Sequence, residues 1–220
     1  MSRLVLSSIL NKGEQVFNGG MFNGLEYQLV TNPITGRTWL DRNLGATRVA
    51  TAVNDSQAYG WLYQWGRLSD GHQIRTSTTR NEQSTTDVPG HDDFIIGFSD
   101  WRNPSNNNLW QGVNGINNPC PPGFRLPTES EFIAESVLFL AQNRTGAFES
   151  FLKIPIGGRR VGNTGVLNLV NNNAFIWTST SITAVQATSF NAGSTFLQYI
   201  NTEPKSNGYS VRPIRDQQFD

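Results

Sequence analysis

One proline-rich segment constrains the fold of this chain more than any other, the run NNPCPPGFRLPTESEF at 117–132. Pro119, Pro121 and Pro122 hold φ at about −65° and keep the residues before them extended, so no helix can begin there. Pro127 prevents an earlier helix start in the same way. The segment therefore delivers the chain into a helix through a rigid turn.

The helix that follows carries its own start signal. Thr128 precedes Glu131 by three residues, which is the spacing of a capping box, and acidic residues in the first turn suit the helix dipole. The spacing of the apolar residues predicts a helix that runs to about Asn143. Its apolar face is expected to comprise Phe132, Ile133, Val137, Leu140 and Ala141. A helix entered this way is typical of a scaffold and not of a catalytic site.

Composition excludes some classes of function. The chain has 220 residues, with 17 Lys plus Arg and 17 Asp plus Glu, so its formal net charge is zero. A nucleic-acid-binding protein normally has a basic excess, so none is expected here. Only 15% of the residues are charged, and the polarity comes from Asn, Ser, Thr, Gln and Gly. Such a composition is typical of adaptable recognition loops, and equally of the turns that a loop-rich β protein needs.

The N-terminal residues 1–24 form a distinct segment with two apolar clusters. They lack the features of a signal peptide, and no stretch of the chain has the length of a transmembrane helix, so membrane insertion is not expected. The single cysteine, Cys120, excludes an internal disulfide and indicates folding in a reducing cytosol. The segment is predicted to be an arm that binds another subunit, with a loose leader as the alternative.

Periodicity then predicts an α+β domain over residues 25–220. Strands Glu26–Thr31 and Arg37–Asp41 are expected to form a hairpin, and Asp55 to cap a short helix that extends to Trp65. Residues 66–117 read as a long loop whose aromatic residues fold back and pack. The remainder predicts short strands, at Leu152–Ile156, Val166–Leu169, Phe175–Thr178, Ala187–Asn191, Phe196–Ile200 and Tyr209–Ile214.

Five motifs in this order resemble the Fibrobacter succinogenes major paralogous domain family. They are GRTWLDRNLG at 36–45, YGWLYQWGR at 59–67, CPPGFRLPT at 120–128, WTST at 177–180 and GYSVRPIRD at 208–216. The resemblance covers roughly residues 25–216. It implies a C-type-lectin-like fold with two helices, a small antiparallel sheet, long loops and both ends of the domain in one sheet. This fold is shared with sulfatase-modifying enzymes and with the variable proteins of diversity-generating retroelements.

One departure from the family is informative. The resemblance implies that Cys120 would pair with a second cysteine in the final strand, where this chain has Pro213. Cys120 is then expected to be a small buried hydrophobic residue and not a nucleophile. The missing bridge suits a protein that is assembled inside a cell, such as a structural component of a bacteriophage.

Few residues suggest catalysis or metal binding. His72 and His91 are the only histidines, and His91, Asp92 and Asp93 with Asp87 nearby offer oxygen donors for a Ca²⁺ ion. Their spacing matches no ligand motif, so a solvated loop is the preferred interpretation, and no metal or cofactor is predicted. His72 is interpreted as a packing or hydrogen-bonding residue. No nucleophile elbow and no phosphate-binding glycine loop is found, and no catalytic residue is predicted.

The resemblance places a ligand-binding face in the strand–loop–strand run at 188–203. Alternation sets Phe196, Gln198 and Ile200 on one side of the strand and Leu197, Tyr199 and Asn201 on the other. The side chains that combine aromatic area with adaptable hydrogen bonds are Asn191, Ser194, Gln198, Tyr199 and Asn201. An ordinary hairpin with outward polar residues is the alternative.

The sequence thus predicts a non-enzymatic recognition module on the surface of a bacteriophage particle, assembled in the host cytoplasm. Its expected partners are a host-surface glycan or protein, other virion subunits bound through residues 1–24, and further copies of itself. One alternative is a structural decoration or cement protein without a ligand of its own. A remote alternative is an oxidase of the sulfatase-modifying type.

Overall fold

The computed structural model describes residues 15–219, apart from the side chains of Asn201 and Phe219. Over this range the chain forms short strands and two α-helices, α1 Glu129–Ser136 and α2 Arg144–Glu149. The predicted α+β class with two helices is confirmed. The strands are β1 Gly20–Phe22, β2 Leu25–Tyr27, β3 Leu29–Thr31, β4 Thr38–Leu40, β5 Tyr63–Gln64, β6 Thr79–Arg80, β7 Phe94–Ile95, β8 Phe124–Arg125, β9 Arg159–Arg160, β10 Leu167–Asn168, β11 Ala174–Ser181, β12 Gln186–Ala192, β13 Leu197–Pro204, β14 Gly208–Tyr209 and β15 Ile214–Arg215.

The strands nearest the two ends of the domain lie in one sheet. Its order is β3-β4-β15-β8, and all of its pairings are antiparallel. The predicted hairpin is confirmed in β3 and β4, where the N–H of Gly36 donates to the carbonyl of Asn32 at 2.8 Å and closes the turn. Since β15 lies between β4 and β8, the C-terminal part of the chain is fixed between two earlier segments.

Two further sheets carry the C-terminal half. The antiparallel sheet β11-β12-β13 has the longest strands, and β10-β9-β14-β5 joins distant parts of the chain. Strands predicted at 175–178, 187–191 and 196–200 are confirmed within the first of these sheets. The strand predicted at Leu152–Ile156 is wrong: Leu152 and Ile154 are buried, but this stretch forms no strand pairing, so burial and not a sheet explains its apolar pattern.

Helix α1 begins where the sequence predicts. The hydroxyl of Thr128 accepts from the backbone N–H of Glu131 at 3.3 Å, and the Glu131 carboxylate accepts from the N–H of Thr128 at 2.9 Å. Both halves of the capping box are therefore present. The helix continues only to Ser136, so the predicted end at Asn143 is wrong.

The early end of α1 has a local cause. The side-chain amide of Gln142 donates to the carbonyls of Ser136 at 2.9 Å and Phe139 at 3.3 Å, and Asn143 caps α2. Polar side chains thus satisfy groups that a longer helix would pair internally. The predicted apolar face is also wrong in part. Phe132 is buried, as predicted, and so is Phe139, whereas Ile133, Val137 and Leu140 are 38%, 62% and 93% exposed.

The segment after Asp55 is shorter than predicted. Asp55 caps a single 3₁₀ turn at Ser56–Ala58, and the helix expected to reach Trp65 is absent. Gly60 ends the turn with a φ of +72°, and a Cβ at this position would lie 2.4 Å from the carbonyl oxygen of Leu44. The backbone is therefore redirected into β5.

The loop at 66–117 packs back on the domain, as predicted. Phe94, Trp101 and Trp110 in this loop are buried, and Phe98 is half-buried against them. The indole N–H of Trp101 donates to the carbonyl of Trp65 at 2.7 Å, which ties the loop to the chain that precedes it.

The buried apolar residues form two clusters. The first cluster gathers residues from loops and short strands, including Tyr63, Trp65, Trp101, Trp110 and Trp177. The second cluster lies between α1, α2 and the β11-β12-β13 sheet, and it includes Trp39, Phe132, Phe139, Ile176 and Phe190.

The described part of the predicted arm contacts the domain. Phe17 and Phe22 pack against the first cluster, and the N–H of Phe17 donates to the carbonyl of Pro122 at 3.0 Å. Met21 is 68% exposed. Residues 1–14, which carry most of the predicted arm, lie outside the described range. Among residues 15–219, no helix has both the length and the apolar character needed to cross a bilayer.

Candidate functional site

The five residues predicted to bind a ligand do not form one exposed face. Asn191 in β12 is 5% exposed, and its side-chain oxygen accepts from the amide of Asn173 at 3.0 Å. Ser194 and Gln198 are exposed. Asn201 lies in β13, and its side chain is outside the described part of the structure.

Tyr199 is directed into the molecule. Its hydroxyl lies 2.7 Å from the hydroxyl of Ser136, and its ring packs edge-on against Phe132 and Phe190. Burial raises the pKa of this phenol, so the hydroxyl stays protonated. Leu197 packs against the same cluster, which confirms the predicted alternation along β13. The same alternation turns Tyr199 away from Gln198, so among the four predicted residues whose side chains are described, only Ser194 and Gln198 are exposed.

A cleft of about 460 Å³ lies at the other end of β13, and we call it the Arg159 cleft. Its wall comes from the loop after β7, from the start of β9 with the turn that follows, and from the turn after β13. The polar and aromatic residues that line it are Phe98, Ser99, Arg159, Asn163, Glu203, Ser206 and Asn207.

The guanidinium of Arg159 is only partly bound within the cleft. It stacks over the ring of Phe175 at 5.2 Å, its Nη1 lies 3.5 Å from the hydroxyl of Tyr209, and the nearest Glu203 oxygen is 4.0 Å away. Its Nε is buried and has no hydrogen-bond partner among the described residues. The Arg159 side chain is 28% exposed and its Nη atoms make one long hydrogen bond among the described residues, so these atoms retain donors that a bound molecule could use.

Asn207 holds the acidic side of the cleft in place. Its amide nitrogen donates to Glu203 at 3.1 Å and to the hydroxyl of Tyr209 at 3.0 Å, and its oxygen accepts from the N–H of Gly162 at 2.8 Å. The four residues joined by these hydrogen bonds, Asn207, Glu203, Tyr209 and Gly162, are all buried. Burial raises the pKa of Tyr209 well above its ordinary value, so this phenol donates and does not ionise.

The cleft therefore offers one cation, one anion and several neutral hydrogen-bonding groups at fixed positions. Its lining, among residues 15–219, includes no histidine, cysteine or second carboxylate, so these residues assemble no pair of groups for acid–base catalysis there. The arrangement is suited to holding a polar molecule.

The residues that the sequence offers as Ca²⁺ ligands are instead paired with other side chains. The carboxylate of Asp93 accepts from Arg80 at 3.0 Å and from the hydroxyl of Thr78, and Asp87 pairs with Arg102 at 2.8 Å. His91 is 3.5 Å from Asp93. Within residues 15–219 no group of three or more His, Cys, Asp or Glu side chains is placed to hold a metal ion.

His72 packs inside the domain, as predicted. It is fully buried, its Nε2 accepts from the N–H of Gln64 at 3.1 Å, and its Nδ1 lies 2.6 Å from Asp70. Burial lowers its pKa to about 4, so the ring is neutral at pH 7.

Cys120 is buried and unpaired, as predicted. Burial raises the pKa of its thiol well above the ordinary value, so it supplies no thiolate at neutral pH. Pro213, which stands where the resemblance implies a second cysteine, accepts a hydrogen bond from the N–H of Leu40 at 3.1 Å.

Sequence reasoning did not select Arg159, Asn163 or Asn207, and it treated Glu203 only as the end of a strand. Asn163 and Asn207 fall in polar turns that resemble any other polar turn, and Arg159 and Glu203 lie in strands without a distinctive pattern. The tertiary pairing of β14 with β9 brings them together, and no local pattern indicates that pairing. Comparison of the chain with known protein families, with curated proteins and with solved structures finds no match in any of the three.

Proposed function

We propose that this chain is a non-enzymatic recognition module of C-type-lectin-like fold, displayed on a bacteriophage particle, that binds a host-surface glycan or protein. The observation that carries the proposal is the Arg159 cleft. It combines a size within the usual range of ligand sites, about 300–1,000 Å³, with polar groups held by buried partners. A site of this kind binds without needing to rearrange, which lowers the cost of association.

The chemistry of the cleft favours a neutral, hydroxyl-rich ligand. Arg159 can only donate hydrogen bonds and the Glu203 carboxylate can only accept them, while Asn163 can do both. A hydroxyl group also does both, so neighbouring hydroxyls of a saccharide could bind these groups together. Because the two charges offset one another, a strongly charged ligand gains little net attraction.

Two features of the architecture support the proposed fold. Strands from near both ends of the domain share the sheet β3-β4-β15-β8, and a capped helix follows the segment CPPGFRLPT. The loop at 66–117 and the antiparallel sheet β11-β12-β13 agree with the long loops and the antiparallel sheet that the resemblance implies.

A structural decoration role is the second candidate, and one surface favours it. Ile133, Val137, Leu138 and Leu140 are all large apolar residues near the end of α1, and all four are exposed by 38–93%. We call them the α1 apolar segment. Contiguous apolar surface of this kind often marks a contact with another protein, which in this setting would be a virion subunit.

The test of recognition is binding of the full chain, coupled to beads for multivalent display, to an array of bacterial surface saccharides and to intact bacterial cells. Ser99→Trp places a bulky ring at the exposed rim of the cleft, and Ser194→Trp is the matched control on the β12–β13 hairpin. We expect Ser99→Trp to lower binding at least tenfold and the control to leave it unchanged. If Ser194→Trp lost binding while Ser99→Trp kept it, the ligand would bind at the β12–β13 hairpin and not in the Arg159 cleft.

The decoration role predicts a different result. Val137→Ser combined with Leu140→Ser should release the chain from its particle, or prevent its assembly, without changing saccharide binding. If both sets of variants leave binding and assembly intact, neither surface has the function proposed for it.

A further inference from the structure

A buried lysine lies against an asparagine side chain from a distant loop. Lys205 is 1% exposed, and it follows β13 directly. Its Nζ is 2.5 Å from the side-chain oxygen of Asn107, 98 residues earlier in the chain. It also donates to the carbonyl of Ala184 at 2.9 Å and lies 4.3 Å from the centre of the Trp65 ring. A contact of this length brings the nitrogen close to the amide carbon of Asn107 as well.

The surroundings favour the neutral amine. The Trp65 ring is almost fully buried, and the residues that touch Nζ include no carboxylate among those described. Burial lowers the pKa of Lys205 to about 8, against an opposing effect of the Asp100 charge. A desolvated lysine with such a pKa is a nucleophile for carbonyl groups near neutral pH.

A buried acid acts on the same lysine. Asp100 is 3% exposed, and the N–H of Arg102 donates to its carboxylate at 3.3 Å. Burial raises its pKa, so a larger share of this carboxyl carries a proton than in an exposed aspartate. Asp100 is near enough to Lys205 for their charges to interact, which makes it a candidate carrier for the proton that Nζ must lose.

We propose that Lys205 and Asn107 form an intramolecular isopeptide bond. The lone pair of Nζ attacks the side-chain carbonyl carbon of Asn107, and a nitrogen–carbon bond forms. The bond from that carbon to the original amide nitrogen then breaks. Asp100 transfers a proton to the departing nitrogen and receives the one that Nζ loses, so ammonia is the only product released. No oxidant, reductant or cofactor takes part.

The short distance between Lys205 Nζ and the Asn107 side chain favours this step. Groups held at a near-attack distance react with effective concentrations that free reactants never reach. The bond would tie the loop at 66–117 to the turn after β13, and closing so long a loop restricts the unfolded chain. The position of the cross-link next to Glu203 would also fix one wall of the Arg159 cleft, although the proposal does not depend on that cleft.

The intact mass of the full chain under denaturing conditions tests the proposal directly. We expect the protein to be lighter than its sequence by one ammonia molecule, and a proteolytic digest to contain a branched peptide joining Lys205 to Asn107. Asn107→Ala, Lys205→Arg and Asp100→Asn should each restore the full mass. Asn108→Ala, which alters an exposed neighbouring asparagine, should retain the cross-link.

Two results would overturn the proposal. One is a full, unmodified mass after prolonged incubation of the folded protein at neutral pH. The other is an ammonia loss that persists in Asn107→Ala, since asparagine–glycine pairs such as Asn207-Gly208 can lose ammonia by closing a succinimide without any cross-link. Because the wild-type mass decides the question, poor folding of a variant cannot obscure it. We also expect a higher Tm for the wild type than for Asn107→Ala, by several degrees.

Discussion

The first cluster combines loop residues with residues from the strands of several sheets, whereas the second lies mainly between the two helices and the β11-β12-β13 sheet, and the two differ in how their tryptophan N–H groups are bound. In the first cluster the indole N–H groups of Trp65, Trp101, Trp110 and Trp177 each donate to a backbone carbonyl. In the second cluster the indole N–H of Trp39 has no partner among the described residues. Two of these carbonyls, those of Trp65 and Asn117, lie in loops, where side-chain donors replace the regular pairing of strands.

Arg67 extends this difference to charged groups. It is fully buried at the edge of the first cluster, where it binds Asp70 at 2.8 Å, Gln64 at 2.9 Å, and the carbonyls of His91 and Asp93 at 2.9 Å each. One guanidinium thus joins its own segment at 64–70 to the segment at 91–93. The comparison indicates that buried polar connections link the segments around the first cluster, while α1 and its sheet combine apolar contact with hydrogen bonds such as that between Ser136 and Tyr199.

Removing the hydrogen bonds of Arg67 is expected to have the largest effect on stability. Arg67→Met keeps much of the volume but leaves Asp70 and two carbonyls without their partner, so we expect a loss of about 3–5 kcal/mol in the free energy of unfolding. Denaturant unfolding followed by tryptophan fluorescence measures this loss. Arg80→Met, at an exposed ion pair, is the control and should change stability little. Equal effects of the two variants would contradict the difference drawn between the clusters.

Acid should weaken the two regions in different pH ranges. The His72 pKa is lowered to about 4 in the folded protein, while the unfolded chain binds the same proton near pH 6.5. Unfolding therefore takes up a proton between these values, and stability falls as the pH decreases from 6.5 towards 4, by about 3 kcal/mol in total. Free energies of unfolding measured across this range should show the slope, and His72→Gln should remove most of it. Partial burial also lowers the pKa of His91, so His91→Gln should remove a smaller part of the slope.

The capping box at α1 responds at lower pH. Burial of Glu131 opposes its charge, but hydrogen bonds from Arg125 and from the N–H of Thr128 outweigh it and lower the pKa to about 2. The stability that this carboxylate contributes is therefore present above its ordinary pKa, and it is lost as the pH falls below about 4.5 towards 2. If His72→Gln removed the pH dependence of stability both between pH 6.5 and 4 and between pH 4.5 and 2, the His72 region and the α1 cap would be titrating as one unit.

A smaller effect is expected from the cap itself. Thr128→Ala removes the hydroxyl that accepts from the N–H of Glu131, and we expect a loss of about 1 kcal/mol. Hydrogen exchange should locate the change in α1, with the protection of the first cluster unaltered. Thr145→Ala, at an exposed position in α2, is the matched control. A loss of protection in the loop region instead would show that the clusters depend on one another.

The sequence predicts those features of the structure that are determined by neighbouring residues, and it fails for features that depend on distant contacts. The cap of α1, the turn at Asn32–Gly36 and the burial of Cys120 follow from neighbouring residues, and all three are confirmed. The end of α1 does not follow, because apolar residues continue past Ser136 and give no sign that they will be exposed.

The candidate site is less predictable for the same reason. Tyr199 has the character of a binding residue, but its contacts with Ser136 and Phe132 come from a helix that lies more than 60 positions away in the sequence. Arg159 and Glu203, like Lys205 and Asn107, become neighbours only through the pairing of distant strands and the return of a long loop. No periodicity in one segment indicates which polar residue another segment will supply.

The smallest effect, and the sharpest test of the comparison, concerns two tryptophans. Trp39→Phe removes a buried donor that has no partner among the described residues, so relief of its desolvation offsets the lost apolar area, and we expect a change below about 1 kcal/mol. Trp177→Phe removes the same atoms from the first cluster but also takes a donor away from the carbonyl of Tyr63, which it binds at 2.8 Å. Leaving that acceptor unsatisfied adds about 1–3 kcal/mol. The free energies of unfolding of the two variants should therefore differ by about that amount. Equal losses would indicate that the indole hydrogen bonds do not distinguish the first cluster from the second cluster.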